Sequence, residues 1–223
     1  MATIFLVRHG LTAQTGRILY GRTPGVLLDD RGRHQAGALV ERFDGVHLTA
    51  IYSSPLERCV QTVEPLAAAR RLALRTDDAL IEMDAGTWTG RSLAQLRRAK
   101  AWTTVQRSPS AFAFPGGGEA FPEAQARAVA GVEAIARRHR RGRVVIATHG
   151  DIARIVLAHY AATPLDEFQR IVVDTAAVSV LELGGPRPHV VLLNDTGGLM
   201  RFRATPTAPW EVAGTRNGRK MRG

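Results

Sequence analysis

A single cysteine, Cys59, stands in the whole 223-residue chain. No intrachain disulfide can form, so a disulfide-stapled scaffold is excluded. A lone Cys within a helical pattern reads as a small core residue. The missing disulfide framework suits the cytoplasm. Long apolar runs are missing as well. The first, Ile4 to Val7 in MATIFLVRHG, gives way at once to charge. It is too short for the hydrophobic segment of a signal peptide or for a membrane span. Nowhere do about 18 apolar residues follow one another, so a soluble protein without a membrane partner is expected. Internal repeats are absent too.

What the chain has instead is positive charge. Its 30 Lys and Arg against 20 Asp and Glu leave a net charge of +10. Arg137, Arg138, Arg140, Arg141 and Arg143 make one block, and Arg216, Arg219, Lys220 and Arg222 make another. A basic excess suits nucleic acid, a membrane surface or attraction of a phosphorylated substrate. No aromatic residue interleaves with either block, which argues against a surface that stacks single-stranded bases. The blocks read as a solvated helix end and a solvated tail, and a nucleic-acid partner is not expected.

The length fits one domain with its own core. Short β-like runs alternate with helical patterns, the mark of an α/β sheet covered by helices on both faces. The expected strands are residues 3–7, 50–53, 143–148, 178–183 and 189–193, with 72–74 a weaker one. The turn Gly184-Gly185-Pro186-Arg187-Pro188 makes the last two antiparallel neighbours. The fold class is therefore α/β, a three-layer sandwich with a mostly parallel, mixed sheet. Ala36, Leu39, Val40 and Phe43 follow helical spacing behind a cap at Asp29 or Asp30. Further helices are expected over 56–70, opened by Ser54 and Pro55, and over 123–139 and 151–160, with a helical turn at 166–170. Residues 107–122, with Gly116-Gly117-Gly118, read as a loop within the domain. Residues 1–200 form the domain, and 201–223 read as a basic tail.

Two of the strands run straight into histidine-glycine pairs, Arg8-His9-Gly10 and Thr148-His149-Gly150. Ligands of α/β sheets bind at the carboxyl ends of strands. Either histidine alone would read as structural. Two in the same setting point to chemistry, with glycines that let backbone approach a ligand. The helix after His149 offers an N-terminus that favours an anion. Between them lies Ser53-Ser54-Pro55-Leu56-Glu57-Arg58-Cys59, which puts Arg58 in the first turns of a helix, where a guanidinium can fork onto phosphate oxygens. The loop Glu82-Met83-Asp84-Ala85-Gly86-Thr87-Trp88-Thr89-Gly90 supplies two carboxyl groups, either of which can serve as a general acid.

The Arg-His-Gly box with Thr12, the Ser-Ser-Pro…Arg box, the Glu-x-Asp-x-Gly-x-Trp-x-Gly box and the Thr-His-Gly box stand in the order of the four signatures of the histidine phosphatase (phosphoglycerate-mutase-like) superfamily. The chain resembles that family over roughly residues 3–195. The resemblance implies a phosphoglycerate-mutase-like sandwich and a cofactor-free, metal-independent phosphatase. His9 would attack phosphorus and become phosphohistidine. Arg8, Arg58 and His149 would hold the phosphoryl oxygens, with Thr15 and Gly150 in the same pocket. Glu82, at the family's position, would be preferred to Asp84 as proton donor. Leu11 departs from the polar residue usual in the family, and Thr15 from its Asn, with a shorter reach.

Three functions fit. The first is hydrolysis of a small phosphate monoester. The second is a phosphoglycerate-type mutase, which the short segment between Gly90 and Pro115 disfavours, since the family's mutases usually carry a longer cover there. The third is a basic nucleic-acid-binding protein with a vestigial site, which the intact set of His9, Arg58, Glu82 and His149 opposes. The rim candidates are Arg22 and Thr23, then Trp102, Phe112, Phe114 and Glu119. A homodimer through an edge strand is compatible with this architecture.

Overall fold

The computed structural model describes residues 1–197, and the basic tail expected over 201–223 lies outside them. In chain order come β1 (Ala2–Arg8), β2 (Ile18–Leu19), α1 (Asp30–Arg42), β3 (Ala50–Ser53), α2 (Glu57–Arg70), β4 (Leu74–Thr76), β5 (Arg91–Ser92), α3 (Leu93–Leu96), α4 (Lys100–Arg107), α5 (Phe121–Arg138), β6 (Arg143–Thr148), α6 (Gly150–Tyr160), β7 (Val178–Leu183) and β8 (His189–Asp195).

Six strands form one sheet in the order β4-β3-β6-β1-β7-β8. β1, β3, β4 and β6 are parallel, while β7 runs antiparallel to β1 and β8 antiparallel to β7. This is the mostly parallel mixed sheet expected, with the antiparallel pair at one edge. Alternation along β1 explains its unbroken apolar run. Ile4 and Leu6 point into one buried cluster with residues of α5 and α6, and Phe5 and Val7 into another with residues of α1 and α2. A strand covered on both faces needs apolar side chains at every position.

The helix ends carry local reasons. α1 starts where Asp29 accepts the Gly32 N–H at 2.8 Å. α5 starts at Phe121, two residues earlier than expected, and Glu123 reaches back to the Ala120 N–H at 3.1 Å. α2 departs from expectation, because Ser54 does not cap it. Its N-cap is Leu56, without a side-chain cap, and the Ser54 hydroxyl is engaged elsewhere. β4 starts two residues later than expected, because Leu72 N–H bonds back to Ala67 O and still closes α2. The segment 107–122 is not all loop: a 3-10 turn spans Pro109–Ala111 and Ala113 bridges Ala120. Among the described residues no helix is long and apolar enough to cross a membrane.

Candidate active site

The register of β1 against β6 builds the site. Arg8 pairs with Thr148, so the two strands end level, and the His9 N–H donates to Thr148 O at 2.9 Å. His9 and His149 therefore emerge side by side, with ring centroids 5.4 Å apart. α1 packs close against the loop after His9. A Cβ on Gly32 would lie 2.0 Å from the Leu11 carbonyl oxygen, so only glycine fits there.

The His9 ring has one defined tautomer. Nδ1 lies 2.8 Å from Gly10 O, and a carbonyl only accepts, so Nδ1 carries the proton and Nε2 keeps its lone pair. The Gly10 N–H is itself held by Thr62 Oγ1 at 2.9 Å, and the Thr62 hydroxyl donates to Arg58 O at 2.6 Å. Burial, with Arg58 and Arg8 alongside, brings the His9 pKa down to about 3 against the smaller opposing pull of the Gly10 bond. The ring is neutral at physiological pH.

His149 is fully buried. Its Nε2 is 2.8 Å from Ser54 Oγ. That hydroxyl also receives the Leu56 N–H at a long 3.4 Å, and a hydroxyl can both donate and accept, so it serves either tautomer of the His149 ring. Nδ1 lies 3.8 Å from Glu82 Oε2. Burial, and then Arg58, push the His149 pKa well below the usual range, so this approach is not an ion pair. Cys59 Sγ lies 3.5 Å from His149 Nε2. Burial pushes its thiol far up, which leaves it inert.

Two guanidiniums face this pair. Arg8 donates to Val173 O at 2.7 Å. Arg58, fully buried, donates to Gly21 O at 2.7 Å and lies 4.6 Å over the Tyr20 ring. Among the described residues, neither lies within ion-pair distance of a carboxylate. A buried cation without a counter-charge, as Arg58 is, costs several kcal/mol, a cost that a bound anion would offset. Gly150 makes room for Arg8, since a Cβ there would lie 3.1 Å from Arg8 Nε.

Glu82 takes the Met83 N–H on Oε1 at 3.0 Å. Burial, then Asp151, raise its pKa to about 7, against the pull of the Met83 bond, Arg58 and Arg8. Asp84 is turned away. Its side chain is 46% exposed, 3.9 Å from Arg22, and does not line the cleft that holds Glu82.

That cleft measures about 410 Å³. Arg8, His9, Thr15, Glu82, Gly150 and Asp151 line one part of it. Tyr20, Leu93, Trp102, Phe114, Gln106 and Arg154 are among the other residues that line it. Arg58 and His149 sit behind its walls. Thr15 Oγ1 is 3.0 Å from Thr12 Oγ1 and accepts the Thr12 N–H at 3.0 Å. Of the expected rim residues, Trp102 and Phe114 reach the cleft and Phe112 packs on Trp88 in the core. Arg22, Thr23 and Glu119 do not line it. Arg22 is held by Glu82 O and Glu119, and Thr23 offers its carbonyl to Arg58 at 3.4 Å.

Sequence reasoning missed Tyr20, Ser54 as a partner of His149, and the Asp151–Arg154 pair at 3.2 Å. The last had a signal: an acid and an arginine three apart, in the first turn after a strand-end histidine. A second cavity of about 380 Å³ opens at the other end of the sheet, between Arg137, Tyr160 and Leu183, and brings no histidine to its wall. Among the described residues no group of three or more His, Cys, Asp or Glu side chains is placed to hold a metal ion.

The fold and this constellation define a class, and comparison with known proteins agrees. The chain belongs to the histidine phosphatase superfamily (branch 1), whose family model matches residues 4–196. Phosphoserine phosphatase 1 of Hydrogenobacter thermophilus is 30% identical over 210 residues, which is 91% of this chain and 96% of that protein. A metal-independent phosphoserine phosphatase of Arabidopsis thaliana is 30% identical over 161 residues, 69% of this chain and 66% of that protein. Among solved structures, Bacillus stearothermophilus YhfR superposes with a TM-score of 0.81 at 31% identity, covering 87% of this chain and 98% of that one.

Proposed function

We propose that the protein hydrolyses a small phosphate monoester through a phosphohistidine on His9, without a metal ion. The observation that carries this reading is a neutral His9, its Nδ1 committed to Gly10 O, beside a buried guanidinium, Arg58, and a half-buried one, Arg8, neither within ion-pair distance of a carboxylate among the described residues. Nε2 attacks phosphorus in line as the bond to the ester oxygen breaks, and that oxygen takes the bonding pair together with a proton from Glu82. Water then attacks the phosphohistidine, Glu82 takes up its proton, and the P–N pair returns to His9 as phosphate leaves. Splitting the displacement in this way replaces one hard step with two easier ones.

Arg8, Arg58 and His149 stabilise the charge on the equatorial oxygens, a preorganised electrostatic contribution that serves phosphoryl transfer without a metal. Thr15 and the N-terminus of α6 at Gly150 complete the phosphate end. Hydrolysis is preferred to mutase chemistry because the segment between Gly90 and Pro115 is short. A relative named as a metal-independent phosphoserine phosphatase supports both the absence of a metal and the substrate type. Small phosphorylated alcohols, phosphoserine among them, are the first substrates to try.

The test is phosphate release from a panel of monoesters with EDTA present, for the native protein and His9→Ala. EDTA-resistant turnover that His9→Ala abolishes is expected. Turnover that EDTA removes, or that survives in His9→Ala, overturns the proposal.

A further inference from the structure

Glu82 sits in a stretch that neither strand nor helix holds. A general acid has to stand within hydrogen-bond reach of the leaving oxygen, and an irregular segment does not guarantee that by itself. Two guanidiniums fix its backbone. Arg22 donates Nε–H to Glu82 O at 2.8 Å. Arg127, on α5, donates Nη1–H to Ile81 O at 3.0 Å and to Ala79 O at 2.9 Å. The carbonyl before the Glu82 Cα and the carbonyl after it are thus each held by an arginine.

Both arginines also donate to one carboxylate, while Arg22 Nη1 lies 3.9 Å from Asp84. Glu119 receives Arg127 through Nε at 2.8 Å and Nη2 at 2.9 Å, and Arg22 through Nη2 at 3.0 Å. Its own N–H donates to Asp84 O at 2.9 Å, and its side chain is 10% exposed. Glu119 does not line the cleft, so substrate does not meet it there.

We infer that Glu119 is a positioning residue for the proton donor: its carboxylate holds Arg22 and Arg127 in the places from which they clamp the backbone on both sides of Glu82. This rests on the reading of Glu82 as the acid. Arg127 meets Glu119 fork to fork, which fixes its guanidinium in direction as well as in place, and Arg22 is fixed by two bonds, one to Glu119 and one to Glu82 O. Without the carboxylate, two like charges converge on one point with half of their anchoring gone. They move apart and release the carbonyls they held, and Glu82 loses its aim while His9, Arg8 and Arg58 keep theirs.

The experiment compares kcat/KM on phenyl phosphate and p-nitrophenyl phosphate, two esters of like shape of which only the first needs a proton on its leaving oxygen. The ratio kcat/KM leaves out the later water step, in which Glu82 also takes part. Glu119→Gln is expected to lose about tenfold on phenyl phosphate and less than about threefold on p-nitrophenyl phosphate, the pattern of a weakened acid. Glu82→Ala shows the same pattern more strongly. Glu119→Asp, which keeps the charge, recovers part of the loss. Equal losses on both esters, or none, in a Glu119→Gln protein with native circular dichroism overturn the inference. Should that variant fail to fold, Arg22→Lys gives the same ratio readout with its charge retained. Should Glu82→Ala itself show no dependence on the leaving group, it is the acid assignment that falls. A dependence in Glu82→Ala with none in Glu119→Gln removes only the positioning role.

Discussion

At the scale of single residues, the proposed chemistry rests on two groups whose protons are set before substrate arrives, His9 and Glu82. Gly10 O commits His9 Nδ1 and frees Nε2. Ser54 Oγ holds the His149 ring by Nε2 at 2.8 Å and leaves Nδ1 on the Glu82 side. Burial holds Glu82 at a pKa of about 7, so its acid form dominates below that pH and its base form above it. The direction of the pH dependence follows. Leaving-group protonation needs the acid form, so kcat/KM for phenyl phosphate falls as pH rises through about 7. His9, with a pKa of about 3, stays unprotonated across the acid range, so its titration sets no limb above pH 4. In Glu82→Gln the limb near 7 is expected to disappear from the pH profile. A profile that keeps this limb assigns it to another group, and the acid role then leaves Glu82.

At the scale of elements, function depends on where strands stop and helices begin. The level ends of β1 and β6 set the two histidines side by side, and the first residue of α6, Gly150, sits against the Arg8 side chain. Gly150→Ala would put a methyl 3.1 Å from Arg8 Nε and 3.2 Å from Cζ. Arg8 has to shift, and its bond to Val173 O gives it little freedom. The variant is expected to fold with a melting temperature near that of the native protein and to lose about tenfold or more in kcat/KM, since small misplacements at a reacting centre are costly. Unchanged kcat/KM would mean that the Arg8 position does not depend on Gly150.

The same elements account for what the sequence made legible. Strands buried on both faces announce themselves as apolar runs, so β1, β3, β6 and β7 were readable; β1 and β6 run on into His-Gly, which exposed His9 and His149, and the box after β3 exposed Arg58. β2 and β5, two residues each, are too short to carry any period. The partner of His9 is a backbone carbonyl, which no side-chain pattern encodes. Arg22 read as a substrate contact because it follows Gly21 in a matching pair. Its place under Glu82 comes from a residue 97 positions away, Glu119, and local sequence does not reveal so distant a partner.

At the scale of the whole molecule, the question is how a net charge of +10 relates to a site that takes an anion. Two sources of attraction are separable by salt. The Arg137–Arg143 block surrounds the end of α5 and the start of β6, the amino edge of that strand, whereas the cleft that holds His9 and Glu82 opens beyond its carboxyl edge. Charges that distant act through solvent and are screened beyond about 8 Å at physiological ionic strength. Arg8 and Arg58 act at contact range from inside the protein, where salt screens weakly. If Arg8 and Arg58 provide the attraction, raising NaCl from about 0.05 to about 0.5 M lowers kcat/KM by less than about threefold and leaves kcat unchanged. Replacing Arg140 and Arg141 with Ala then leaves both constants where they were. A steep fall with salt that the double substitution flattens would show instead that the outlying arginines draw substrate in, and the basic excess would belong to the catalytic cycle after all.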